Sequence, residues 1–101
     1  KLLRVKGSSM APNYQNGDYI LITSLLKAKK NDLVVCEIEE IGLVLKRVKF
    51  INKFKMILVG DNPRQDSSIC NIPLNPSLIV GKVIIHLPIL RFFPYLPSKN
   101  K

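Results

Sequence analysis

The segment "VKGSSMAPNYQNGDYILI", Val5 to Ile22, sets two serines, Ser8 and Ser9, between a glycine and a methionine. A serine hydroxyl attacks a carbonyl only when a neighbouring group takes its proton. Without such a group, adjacent loop serines are ordinary solvated residues. The familiar base is histidine, and the chain has one, His86, inside the apolar run Val83 to Leu87. No acidic residue lies near it in sequence to orient it, so His86 reads as a packed or edge-strand residue. The other established base for serine is a neutral lysine. A free lysine has a pKa near ~10.4, so a lysine base must lose about three units, or ~4 kcal/mol. Burial among apolar groups and nearby positive charge both act in that direction.

Lys46, in "GLVLKRVKF", fits that requirement best. Alternate residues of a strand share a face. Val44, Lys46 and Val48 therefore lie on one side, and Leu45, Arg47 and Lys49 on the other. Two valines flank Lys46 on its own face, and Arg47 adds like charge nearby. The same pattern also describes an edge-strand lysine whose amine snorkels to water.

The elements that must position these groups are mostly strands. Tyr19 to Ile22 follows an Asn16-Gly17 turn signal. Asp32 to Glu39, Gly42 to Ile51 and Lys55 to Gly60 are further apolar, β-branched runs, the first two joined by a hairpin around Glu40 to Gly42. Ser77 to Leu87 is another, with Gly81 marking a bulge or close backbone approach. Leu2 to Val5 leads into the serine segment. The one short helix candidate is Ser24 to Lys30. The polar, proline-punctuated stretch from Asp61 to Pro76 is a long loop of the kind that often carries function.

The chain has 101 residues, of which 47% are hydrophobic, enough for one small domain with a modest core. Its formal net charge of +9 suits an anionic partner, either nucleic acid or a membrane surface. Lys27, Lys29, Lys30, Lys49, Lys53 and Lys55 are scattered along the sequence, which favours a plain solvated surface. Cys36 and Cys70 form no C-x-x-C pair and read as free buried thiols of a reducing compartment. The apolar run Val83 to Leu96 holds His86, Arg91 and two prolines and falls short of the ~20 residues a membrane-spanning helix needs. No signal peptide is visible. The expected organisation is a catalytic core over residues 1–87 and a proline-rich tail over 88–101, in the cytoplasm, with peripheral membrane contact through the tail.

Taken together, the motifs resemble the signal peptidase I and LexA-like serine peptidases of the S24/S26 superfamily. "GSSMAP" (Gly7 to Pro12) is similar to their G-x-S-M-x-P box, and "GDYILI" to the Gly-Asp strand after it. "VLKRV" (Val44 to Val48) is similar to the box holding the catalytic lysine, "GDNPRQDSS" (Gly60 to Ser68) to the G-D-N…D-S-R box, and "IVGKV" to the closing strand. The boxes occur in order over roughly residues 2–87. The resemblance implies a mainly β, compact fold of antiparallel strands with little helix. It implies Ser9, directly before Met10, as nucleophile and Lys46 as general base, with the Ser9 N–H as an oxyanion donor. Ser8 falls at the variable position. Gly7 would let substrate approach, Met10 would line the site, Asp61 and Asn62 would shape a turn, and Asp66 with Ser67 would support the lysine. Two positions depart from the pattern: Ser68 replaces an arginine, leaving Arg47 or Arg64 as substitutes, and Arg64 stands where many members have a serine.

The short spacing from Ser9 to Lys46 leaves no room for a large inserted β-domain. The chain also shows no helix-turn-helix and no Ala-Gly self-cleavage segment, so a minimal core acting in trans is expected. In this it resembles the group of proteases that mature nickel-type superoxide dismutase, including Pro63 after Gly-Asp-Asn. That group implies removal of an N-terminal propeptide from the superoxide dismutase precursor; the nickel would belong to the substrate, and no cofactor or metal is expected in this chain. The alternatives are a truncated signal peptidase-like or LexA-like peptidase with another substrate, and a non-catalytic basic β-barrel that binds nucleic acid.

Overall fold

The structure, a computed structural model, describes residues 1–65 and 67–88. Asp66 and the proline-rich tail from 89 onward lie outside the described residues. Six strands, β1 (Leu2–Arg4), β2 (Tyr19–Thr23), β3 (Leu33–Ile38), β4 (Gly42–Ile51), β5 (Met56–Val59) and β6 (Ile79–Leu87), form one antiparallel sheet in the order β1-β2-β6-β3-β4-β5. The only helical element among the described residues is a single 3₁₀ turn at Pro76–Leu78. The expected mainly β, antiparallel fold is therefore what the chain adopts.

Burial explains the order. β3 carries four consecutive buried residues, Leu33 to Cys36. A strand that apolar cannot leave a face in water, and it lies between β6 and β4. Its alternating side chains feed two cores. Val34 and Cys36 pack with Val48, Met56 and Leu58. Val35 packs with Val5, Ile20 and Ile22. β2 shows the same period, with Ile20 and Ile22 buried and their neighbours only partly so. Each fully buried aliphatic side chain contributes about 1.5–3 kcal/mol.

Gly81 serves both purposes expected of it. The β3–β6 register shifts beside it, between Val35 and Cys36. A Cβ there would lie 3.0 Å from the Thr23 carbonyl oxygen. Ser24 to Lys30, by contrast, is not a helix but a series of bends and turns. Leu25 N–H donates to Thr23 Oγ1 at 3.1 Å, as at a helix start, but the Lys29 N–H that a helix would return to Leu25 O goes to Asp32 Oδ2 at 2.8 Å.

The lysines are not scattered in space. Lys27, Lys29 and Lys30 lie on the β2–β3 connection, Lys49 near the end of β4, and Lys53 and Lys55 at the β4–β5 turn. The connection is pinned to the late part of β4, where Asn31 N–H donates to Val48 O and Val48 N–H to Asp32 O, at 2.8 and 2.9 Å. Glu37, Glu39 and Glu40 cluster at the β3–β4 hairpin, the other end of β4.

Candidate active site

The segment between β1 and β2 folds back on itself. Val5 N–H donates to Asp18 O (2.7 Å), and Gly17 N–H donates to Val5 O (2.8 Å), closing its base. Gly7 has φ +82°, a conformation that L side chains rarely adopt, and its N–H donates to Asn16 Oδ1. Ala11 N–H to Ser8 O and Tyr14 N–H to Met10 O then make tight turns. The Met10 side chain is buried beneath them, while Ser8 and Ser9 remain half-buried. Among the described residues, the Ser9 N–H has no acceptor.

The Gly-Asp-Asn turn after β5 clamps this loop from the other side. Asn62 N–H donates to Ser9 O and Asn62 Nδ2 to Ser8 O, both at 2.8 Å. Asp61 N–H donates to Met10 Sδ at 3.4 Å. Asn62 thus does more than shape a turn: it holds both serines by their carbonyls, while Asp61 holds Met10. Gly60 makes the approach possible, since a Cβ on it would sit 2.9 Å from Ser9 O.

Lys46 pairs across from Val34 in the β3–β4 ladder, with β5 on the far side of β4. It is only 3% exposed, and β4 is not an edge strand, so its amine does not snorkel to water. Among the described residues Lys46 makes no ion pair or hydrogen bond. Its Nζ lies 3.7 Å from the same point, the Gly60 Cβ position, that Ser9 O approaches. Ser9, Lys46 and Ser67 all line one cleft of about 590 Å³, whose walls include Gly7, Met10, Val35 and Leu45.

Arg47 does not act as a free like charge beside Lys46. Its guanidinium forks onto Asp61, with Nε to Oδ1 at 2.8 Å and Nη2 to Oδ2 at 2.7 Å, and Nη1 donates to Asn31 O. Asn13 Nδ2 adds a third bond to Asp61. The Arg47 guanidinium holds the Asp61 carboxyl below the usual carboxylate range, against the opposing effect of burial. Arg47 is therefore spent on Asp61. Ser67 Oγ lies 3.6 Å from Cys70 Sγ.

His86 has the acidic partner that its sequence neighbourhood lacks. Its Nε2 lies 2.7 Å from Oδ2 of the buried Asp18, and its ring stacks on Tyr14 at 4.0 Å between centroids. None of these three residues lines the cleft that holds Ser9. The pair ties β6 to the base of the serine loop. Nothing in the sequence signalled it, because the partners are 68 residues apart. Asn13 was likewise missed, although its position directly after the serine box was a usable clue.

Among the described residues no cluster of three or more His, Cys, Asp or Glu could hold a metal, and no helix is long and apolar enough to cross a membrane. No curated protein and no solved structure matches the chain. A family model, Peptidase S24-like, matches residues 1–84, which span the serine loop, the lysine strand, the Gly-Asp-Asn turn and most of β6. The chain belongs to the Peptidase S24-like family, and so to the serine peptidases of the LexA and signal peptidase type.

Proposed function

We propose that this protein is a serine endopeptidase in which Ser9 is the nucleophile and Lys46 the general base. The observation that carries this reading is the convergence of the Ser9 loop and a buried lysine on one cleft, with Gly60 keeping the space between them clear. Neutral Lys46 takes the Ser9 proton as Oγ attacks the scissile carbonyl. The open Ser9 N–H is a donor for the developing oxyanion. The amine leaves with a proton from Lys46, and Lys46 then activates the water that releases the acyl group. Ser8 is a neighbour held by its carbonyl rather than a second nucleophile, and Ser67 supports the lysine side of the cleft.

For the substrate, we infer the N-terminal propeptide of a nickel-type superoxide dismutase precursor. The ordered run from Gly7 through Gly60-Asp61-Asn62-Pro63 to Gly81, resembling that group of proteases, supports it. The purified chain is incubated with precursor beside Ser8→Ala, Ser9→Ala and Lys46→Ala variants. Cleavage falls by at least about 10³-fold for Ser9→Ala and Lys46→Ala and persists for Ser8→Ala. Cleavage that survives in Ser9→Ala or Lys46→Ala would remove the dyad. Dyad-dependent cleavage of a generic peptide but not of the precursor would remove only the substrate.

A further inference from the structure

The lysine-rich end of the sheet carries a feature that peptidase chemistry does not use. Six lysines, three on the β2–β3 connection and three at or beside the β4–β5 turn, are all exposed there. The nearest carboxylate, Asp32, is already taken, by Lys82 Nζ at 3.0 Å and by the Lys29 N–H. The glutamates of the β3–β4 hairpin lie at the opposite end of β4, about 30 Å away for a ten-residue strand. The charge is therefore polarised along the molecule.

Large apolar side chains stand among these lysines. Leu25 is 90% exposed and Phe54 83%, with Leu26 beside the first. The two segments bearing them are not independent loops. The β2–β3 connection is stitched to Val48, and Ala28 within it packs on the core that includes Val48 and Met56. The Phe54 turn is fixed by Asn52, whose Oδ1 accepts from the N–H groups of Phe54 and Lys55. Held backbone with exposed leucine and phenylalanine tips, ringed by unneutralised lysines, is a surface with two complementary demands: anionic charge and a shallow apolar layer.

We propose that this end of the molecule docks on an anionic lipid membrane surface, with Leu25 and Phe54 entering the headgroup boundary and the lysines meeting lipid charge. A lipid surface satisfies both demands at once. Nucleic acid meets the first fully but the second only at Phe54, since leucines offer bases no stacking platform and Lys55 already sits 5.7 Å over the Phe50 ring. Docked this way, the cleft stays clear of the bilayer, because its Ile41 and Leu43 wall belongs to the opposite end of β4.

Co-sedimentation of the full chain with vesicles tests this. The lipid is phosphatidylcholine alone, or phosphatidylcholine with about a third phosphatidylglycerol. Both Leu25→Ser with Phe54→Ser and Lys53→Glu with Lys55→Glu change exposed residues, and unaltered thermal melts confirm that the variants fold. Binding is expected on anionic vesicles only, weakened on the order of tenfold or more by each double variant, and by added salt. Equal binding to neutral vesicles, or no binding, overturns the proposal. So does full retention of binding by both variants, which would move the contact to another part of the chain. Duplex or single-stranded DNA bound more tightly than the vesicles also overturns it, in favour of a nucleic-acid surface.

Discussion

Gly60 is the residue at which the candidate site is least able to accept a side chain. A methyl group there would press on the Ser9 carbonyl oxygen at 2.9 Å, a backbone atom that the Asn62 N–H already holds. The same methyl would stand 3.7 Å from Lys46 Nζ. Neither the serine loop nor the strand can yield without losing bonds described above. Gly60→Ala should therefore cost about 1–3 kcal/mol of stability as an overpacked position. Its effect on turnover should be larger than that loss explains, because the methyl intrudes between the loop of the proposed nucleophile and the proposed base. Urea unfolding alongside steady-state cleavage reads both. A variant as active and as stable as the parent would mean that the serine loop and Gly60 are not in contact during turnover. Sequence did point to residues that the fold brings to this cleft and its turn. Gly7, Ser9, Met10, Lys46 and the Gly-Asp-Asn turn each carry a distinctive type at a distinctive place. Geometry adds the reason for Gly60, which is invisible in a letter string because it depends on how closely a distant carbonyl approaches.

Between elements, the Arg47–Asp61 pair joins the lysine strand to the turn that clamps the serine loop. Arg47 holds the Asp61 carboxyl below its ordinary value of 3.8. A carboxylate depressed in the folded state contributes stability that is present above the unfolded value and is lost as pH falls through the folded one. The protein should thus lose stability below about pH 4 as Asp61 takes up a proton. Asp61→Asn should flatten that part of the curve and reduce stability at neutral pH by roughly 1–3 kcal/mol. Urea midpoints at pH 7 and pH 3 for parent and variant check it, and parallel acid losses would assign the slope to other carboxylates. At this scale the strands were legible and the irregular connections were not. β4 runs from Gly42 to Ile51, as its alternating apolar residues and flanking turn signals imply. Ser24 to Lys30 misled because Leu25, Leu26 and Ala28 imitate a helical face. The Lys29 amide is instead taken by Asp32, and Leu25 faces water. The Asp18–His86 pair was illegible for a different reason: only the β2–β6 pairing brings the two together.

For the molecule as a whole, the decisive feature is a central strand, β3, that supplies cores on alternate sides of one sheet. The sequence marked it as a strand but not the consequence for charge: which lysines become neighbours depends on which strand ends meet. The two cysteines sample this architecture at different depths, and both are free and buried. Cys36 is fully buried on β3, and burial pushes its thiol up to about 11. At pH 8 it is therefore protonated as well as enclosed, and both conditions block thiol reagents. Cys70 lies on the long connection between β5 and the 3₁₀ turn, held by a bond from its N–H to Ser67 O. Opening that connection breaks its bonds to β5, from Asn71 to Leu58 and between Leu74 and Met56, but parts no two of the six strands, whereas Cys36 is exposed only when β3 leaves β4 or β6. Labelling with a chromogenic disulfide at pH 8 should thus modify Cys70 first, with Cys36 slower by at least about tenfold. Added urea should accelerate Cys36 steeply, in step with global unfolding, and Cys70 only weakly, because little surface is exposed in a local opening. Equal rates and equal urea slopes would mean that the loop and the sheet unfold as one unit.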